Sequence, residues 1–254
     1  MLSIAERRNA ILDRLHHDGY VKVSEMAAGL GVTMATIRKD LKFLEEHSLL
    51  MRAHGSAMPA AAPVVDQSIN SKKPINNDLK QRIARKACEL IAENDSIIIA
   101  SGSTMTVFAE NIKPKGHLNV VSPSINISMV FGMDENVTLM QLGGIIYGNS
   151  LSVRGQAAVN ELRNMLCTKL FFGVDGFDME YGFTCATVEE AAFTQHMMKS
   201  VSKSVVLADS TKVGRRGFGR ICAIEDVDIL VTDGGIPEKV RSDIEAAGVE
   251  VIVA

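Results

Sequence analysis

Over the first sixty residues the apolar positions recur with a helical period and are broken by turn formers. Ile4, Ile11, Leu12 and Leu15 predict a helix over 3–18, with Ser3 as its cap and Gly19 as its stop. Tyr20–Val23 reads as a short extended piece, Ser24 as the cap of a second helix over 25–30, and Gly31-Val32-Thr33 as a tight turn. Thr33 then caps a third helix, in which Met34, Ile37, Leu41 and Leu44 form one apolar stripe. Leu49–Ala53 and Gly55 complete a small hairpin. Helix, glycine turn, helix and hairpin form a winged helix-turn-helix.

Further on the pattern changes. Short β-branched or apolar runs alternate with helical stretches. Strands are expected at 97–99, 118–121, 137–142, 169–174, 204–208, 228–232 and 249–253. Helices are expected near 78–92, 105–112, 125–131, 156–166, 188–201 and 237–247. Strands that alternate with helices imply an α/β domain with a largely parallel sheet. Between the two patterns, AMPAAAPVV at 57–65 is rich in Ala and Pro and 66–80 is polar with Lys72, Lys73 and Pro74. The expected organisation is a head over 1–57, a linker over 58–74 and an α/β domain over 75–254.

The chemistry of the third helix points to DNA. Ala35, Thr36, Arg38, Lys39 and Lys42 lie off its apolar stripe, and Thr33 stands at its start. Small residues allow close approach to a major groove, and Thr, Arg and Lys reach base edges and phosphates. Arg52 and His54 on the wing are candidates for phosphate or minor-groove contact. A charged face on a generic three-helix bundle is the blander reading, but cap, stripe, turn and cations occur here together.

Charge modifies this picture only slightly. The chain of 254 residues carries 27 Lys and Arg against 30 Asp and Glu, net −3, so it is not a globally basic nucleic-acid binder. The first 56 residues are mildly basic and the remainder acidic. Cys88, Cys167, Cys185 and Cys222 are scattered without a C-x-x-C pair, and the histidines form no metal-ligand spacing, so reduced thiols and no metal are expected. No apolar run approaches a membrane span, and the N-terminus is charged and amphipathic; a cytoplasmic protein is expected.

In the α/β domain, small and polar residues follow the strands. Ser101-Gly102-Ser103-Thr104, Ser122-Pro123-Ser124, Gly143-Gly144, Asp175-Gly176, Asp209-Ser210-Thr211-Lys212 and Asp233-Gly234-Gly235 all fall at strand ends. In an open parallel sheet those ends share one edge, where ligands bind. Turn formation alone accounts for such residues too, and for Asp233-Gly234-Gly235 it is at least as good a reading. Strand, S-G-S-T and helix gather backbone N–H groups and hydroxyls around one point, as a phosphate requires. Lys212 supplies a cation on the same edge. Asp175 and Glu190 supply acceptors for sugar hydroxyls, with Glu189 able to replace Glu190. Glu190 early in a helix also has a plain electrostatic role against the helix dipole. Together these groups suggest a small phosphorylated, hydroxyl-rich ligand.

Over nearly its full length the chain resembles the DeoR family of bacterial sugar-metabolism regulators. In the head the resemblance rests on Val21 and Val23, T-I-R-K-D-L at 36–41, Leu44, Leu49-Leu50, Arg52 and H-G-S-A at 54–57. In the second domain it rests on G-S-T at 102–104, G-G at 143–144, G-V-D-G at 173–176, Glu190-Ala191 and D-S-T-K at 209–212. The resemblance implies a sensor domain similar to ribose-5-phosphate isomerase, a sugar-phosphate effector and no cofactor. It also implies an oligomer, dimer or tetramer, that represses a catabolic operon and leaves operator DNA when the effector binds. It assigns Ser101–Thr104, Ser122, Gly143, Gly144, Asp175, Gly176, Glu190 and Lys212 to the effector. Two positions depart from the family pattern: Ala100 stands where members often have Asp, and Ser122-Pro123-Ser124 where many read T-N-S. An isomerase with an accessory head, using Asp175, Glu190 and Lys212 for proton transfer, and a ligand-free oligomerisation module are the alternatives.

Overall fold

The computed structural model describes residues 2–18, 20–47, 49–53, 55–59, 64 and 66–254. The head comprises α1 (Ile4–Asp18), β1 (Val21–Lys22), α2 (Val23–Leu30), α3 (Met34–Glu46), β2 (Leu50–Ala53) and β3 (Ser56–Pro59). Ser3 caps α1 reciprocally: its Oγ accepts from the Glu6 N–H at 3.3 Å and the Glu6 carboxylate accepts from the Ser3 N–H at 2.8 Å. Helix α2 begins at Val23 with Lys22 at its cap position and no side-chain cap bond, so Ser24 is not the cap the sequence suggested. The start of α2 is set instead by the wing, where the Gly55 carbonyl accepts from the Val23 N–H at 2.8 Å. Gly31 ends α2 with φ +63°, the left-handed conformation glycine adopts without strain. Ile11, Leu15, Val23, Ile37, Leu41, Leu44 and Leu50 form the head's core, with β3 paired between β1 and β2. Met34, expected on the apolar stripe, is 48% exposed.

A short helix, α4 (Ile69–Lys72), occurs in the expected linker, capped by Ser68. It is followed by α5 (Asn77–Cys88), β4 (Ser96–Ile99), α6 (Ser103–Asn111), β5 (Leu118–Ser122), α7 (Ile125–Phe131) and β6 (Val137–Gln141). Then come the hairpin β7 (Ile145–Tyr147) and β8 (Ser152–Arg154), α8 (Gln156–Leu162), β9 (Cys167–Gly173), β10 (Gly176–Asp178) and β11 (Gly182–Cys185). The chain closes with α9 (Val188–Met198), β12 (Val201–Leu207), β13 (Gly219–Cys222), β14 (Ile229–Thr232), α10 (Glu238–Ala246) and β15 (Glu250–Val253).

Seven of these strands form one parallel sheet in the order β15-β14-β12-β9-β4-β5-β6. The strand period of two divides their side chains between two cores. Ile97, Ile99, Phe171, Val205 and Leu207 pack under α5, α6 and α7. Ile98, Leu170, Phe172 and Val206 pack under α8, α9 and α10. Burial on both faces explains why these strands read as continuous apolar runs. The expected parallel α/β domain is therefore present, with two additions: the antiparallel β7–β8 hairpin, and β10, β11 and β13, which form a small antiparallel sheet beyond the strand ends.

Head and body touch. Tyr20 is buried against the body's core, and its hydroxyl donates to Asp243 of α10. Lys239 lies 3.7 Å from both Glu25 and Asp243, and Ser56 on the wing donates to Glu180 at 3.3 Å.

Candidate functional site

Thr33 fixes the start of α3: its Oγ1 accepts from the Thr36 N–H at 3.2 Å and lies 2.9 Å from the Thr36 hydroxyl. Burial of Ile37, Leu41 and Leu44 turns Ala35, Arg38, Lys39 and Lys42 to solvent, with Thr36 half-buried beside them. On the inner side, buried Asp40 accepts from Arg7 at 2.5 and 3.1 Å and from Arg8 at 3.2 Å, so α1 holds α3 at a set angle. The Arg8 guanidinium also lies 3.4 Å over the Phe43 ring. Arg52 is already engaged: its Nε donates to Glu45 at 2.6 Å, and that contact holds the Glu45 carboxyl below its usual range. Lys42 sits a looser 3.8 Å from Glu46. His54 lies outside the described residues.

A cavity of about 210 Å³ opens at the C-terminal ends of β4, β9 and β12. Ser101, Gly102, Ser103, Thr104, Asp175, Glu190 and Lys212 all line it. Gly102 has φ +131°, a backbone region close to glycine-only, and it delivers the chain into α6, whose first residues, Ser103, Thr104 and Met105, line the cavity. Asp175 accepts from the Ala186 N–H at 3.1 Å and from Lys72 Nζ at 2.8 Å. Burial, reinforced by Asp175, pushes the Glu190 carboxyl up, so its neutral form is favoured relative to free glutamate. Burial likewise lowers the Lys212 ammonium. Glu189, by contrast, is exposed and does not line the cavity.

Four other expected residues are not brought there. Ser122 is fully buried, donates to the Ile99 carbonyl at 2.8 Å and accepts from the Ser124 N–H, bracing the turn after β5. Gly143 and Gly144 are exposed, and the Gly143 N–H donates to Glu161 at 3.2 Å. Gly176 is packed from behind: a Cβ there would lie 2.3 Å from the Arg215 carbonyl oxygen. Ala100 is buried in core rather than at the cavity. Asp233 accepts from the Ser210 N–H, the Ser210 hydroxyl and the Gly235 N–H at 2.7–2.9 Å, and so steadies the turn that carries Lys212.

Several lining residues were not assigned to the ligand from the sequence: Lys72, Asn76, Lys80 and Arg215, and Asp209, which was noted only as part of the D-S-T-K motif. Lys80 had a legible signal. It shares the helical stripe of Ile83, Ala84 and Ala87, all buried, so the fold takes a lysine inside. Its Nζ donates to the Lys72 carbonyl at 2.6 Å. Burial, with Lys212 and Lys72 nearby, pushes its pKa down to about 8. The lining thus sets Lys72, Lys80, Lys212 and Arg215 against Asp175, Glu190 and Asp209. Cations and a helix N-terminus suit an anion; fixed carboxylates suit hydroxyls. Among the described residues there is no cluster of three metal-ligating side chains, and no helix is long and apolar enough to cross a membrane.

Comparison with known proteins accounts for both halves. Residues 7–60 match a family model described as a DeoR-like helix-turn-helix domain, and 75–234 match the DeoR C terminal sensor domain. A putative aga operon transcriptional repressor from Escherichia coli O157:H7 is 32% identical, over 98% of this chain and 93% of that protein. The HTH-type transcriptional regulator GlpR of Haloferax volcanii is 29% identical, over 98% of this chain and 97% of its own length. Among solved structures, a ribose 5-phosphate isomerase A from Methanocaldococcus jannaschii shows a partial likeness: 18% identity, 54% of each chain and a TM-score of 0.37.

Proposed function

The chain belongs to the DeoR family of DNA-binding transcriptional regulators, and we propose that it represses a carbohydrate catabolic operon until a phosphorylated sugar fills the cavity at its strand ends. The observation that carries this reading is the meeting, in one 210 Å³ cavity, of the α6 N-terminus with Lys80, Lys212 and Arg215 and with the carboxylates Asp175 and Glu190. Anion donors and hydroxyl acceptors gathered in a cavity of that size suit a small ester such as a sugar phosphate. Thr33, Ala35, Thr36, Arg38, Lys39 and Lys42 are the DNA-reading residues, with Arg52 steadying the wing edge of that face. Ser101–Thr104, Asp175, Glu190 and Lys212 are effector residues, joined by Lys80 and Arg215.

The cavity serves binding rather than turnover, in keeping with relatives that align end to end and are named as regulators. Repression through a two-fold operator requires two heads, and so at least a dimer in the cytoplasm. The effector acts by favouring a sensor geometry in which the heads no longer match the operator.

The test is a melting-temperature panel of sugar phosphates on the full protein, followed by operator binding with and without the ester that stabilises it. A binder raises the midpoint by mass action. If no ester shifts the midpoint, the effector reading fails. An operator affinity that ignores salt would remove the DNA reading, since Arg and Lys release counterions from phosphates.

A further inference from the structure

Two short segments run side by side from the cavity to the head. One is 175–180, beginning at the cavity residue Asp175. The other is 212–216, beginning at the cavity residue Lys212. They are joined in parallel by a bridge between Phe177 and Val213, and the Gly214 N–H donates to the Phe177 carbonyl at 2.8 Å. Phe177 is fully buried, and Gly176 has no room for a side chain against Arg215. The Gly217 N–H donates to Thr184 Oγ1, which in turn donates to the Gly176 carbonyl. This ribbon therefore has little slack.

At its far end the ribbon meets the wing. Arg216 donates to buried Asp178 at 2.5 and 3.0 Å and to Glu180 at 3.0 Å. Asp178 also accepts from the N–H groups of Glu180 and Tyr181, both at 2.8 Å, so the turn they form is pinned. Glu180 accepts from Ser56 of the wing. Arg216 shares one groove with Val23, Arg38, Glu45 and Arg52 of the head. Consecutive residues thus face two sites: Arg215 lines the ligand cavity and Arg216 braces the surface on which the wing rests.

We propose that the 212–216 loop, clamped to 175–180, is the element that carries occupancy of the cavity to the DNA-reading head. The proposal rests on the reading of the cavity as an anion site. An anion that draws Lys212 and Arg215 together re-seats Arg216, because tight packing of the loop on β10 leaves the displacement no other outlet. Arg216 then shifts Asp178 and Glu180, and with them the footing of Ser56. The second head contact, Tyr20 with Asp243 on α10, borders the same groove as Ser56, Asp178 and Glu180, but its hydrogen bond runs to α10 and not to the 175–180 or 212–216 segments.

The experiment uses the full chain, operator duplex, and ribose 5-phosphate, glucose 6-phosphate and inorganic phosphate as probes. Ligand binding is read from melting shifts without DNA, and coupling from the ratio of operator affinities without and with probe. In the wild type that ratio is expected at about tenfold or more, within the usual range of allosteric coupling. Glu180→Gln and Arg216→Gln are expected to keep the melting shift and probe-free operator binding while the ratio falls below about threefold. Tyr20→Phe is expected to keep the full ratio. If Arg216→Gln melts too early to be read, Glu180→Gln carries the result. A wild-type ratio in both glutamine variants overturns the proposal, as does loss of the ratio in Tyr20→Phe alone, which would assign the coupling to α10. If no probe shifts the wild-type melting curve, the cavity reading itself falls before DNA is added, and the coupling falls with it.

Discussion

Lys80 shows how a single residue is recruited by burial. A lysine placed among Ile83, Ala84 and Ala87 is stripped of water, and its ammonium is lowered to about 8. As pH rises through 8 it loses the charge that attracts an anion, while a phosphate monoester, with its second pKa at about 6, is already largely dianionic. Affinity for a phosphorylated ligand is therefore expected to weaken between pH 7 and 9. Titration calorimetry checks this, and Lys80→Met should bind weakly with a much flatter pH profile across that range. Gly102 shows the opposite kind of constraint, a conformational one. Nothing lies within 4 Å of a Cβ built there, so Gly102→Ala tests backbone strain alone. At φ +131° the expected cost is about 1–3 kcal/mol of stability, with weaker anion binding as the α6 N-terminus moves. Denaturant unfolding gives the first and a melting-shift series the second. Gly102 was legible because S-G-S-T between strand and helix has a mechanism. Lys72 and Arg215 were not, because each reaches the cavity from a loop or short helix whose path no local pattern specifies.

At the scale of elements, α3 divides its labour between a buried stripe and an exposed face. Ile37 is fully buried, and Ile37→Ala should lose about 2–5 kcal/mol by creating a cavity. Arg38→Ala and Lys39→Ala should leave stability nearly unchanged. A residue of the two that contacts phosphate should lower the salt slope of operator binding by about 1 on substitution. Glu45 ties up Arg52 and adds negative charge at the edge of this face. Glu45→Gln is therefore expected to strengthen DNA binding at low salt, measured by fluorescence anisotropy on operator and random duplexes. Helix period and cap made α3 readable from Thr33 onward. Ser24 misled because the start of α2 is decided by a bond from the wing, an interaction distant in sequence. The strands of β10, β11 and β13 went unread because they are three or four residues long and glycine-rich, too short to display alternation.

Over the whole molecule, the stretch between head and body helps to wall the cavity. Gln67, Lys72 and Asn76 line the same cavity as Ser101–Thr104 and Lys212. A ligand should therefore slow hydrogen exchange in 66–80, 101–106 and 209–215 with one shared concentration midpoint. Separate midpoints, or protection confined to the body, would show that this stretch takes no part in binding. What the amino-acid sequence determined by itself was local or periodic: the helical stripes, the caps at Ser3 and Thr33, the glycine turns, the runs of β-branched residues and the polar groups after each strand. Those signals follow from the 3.6- and 2-residue periods and from the few residues that tolerate special backbone conformations. They were enough for a winged head, a parallel α/β body and the edge that holds the cavity. The tertiary structure alone decided which strand-end residues converge. Ser122, Gly143, Gly144 and Gly176 stand near strand ends as Gly102 does, yet packing turns them into braces or leaves them outside. It alone brought Lys80 and Arg215 inward and set Arg216 beside the wing, because convergence in space depends on how the sheet twists and which helix covers it, and no single segment encodes that.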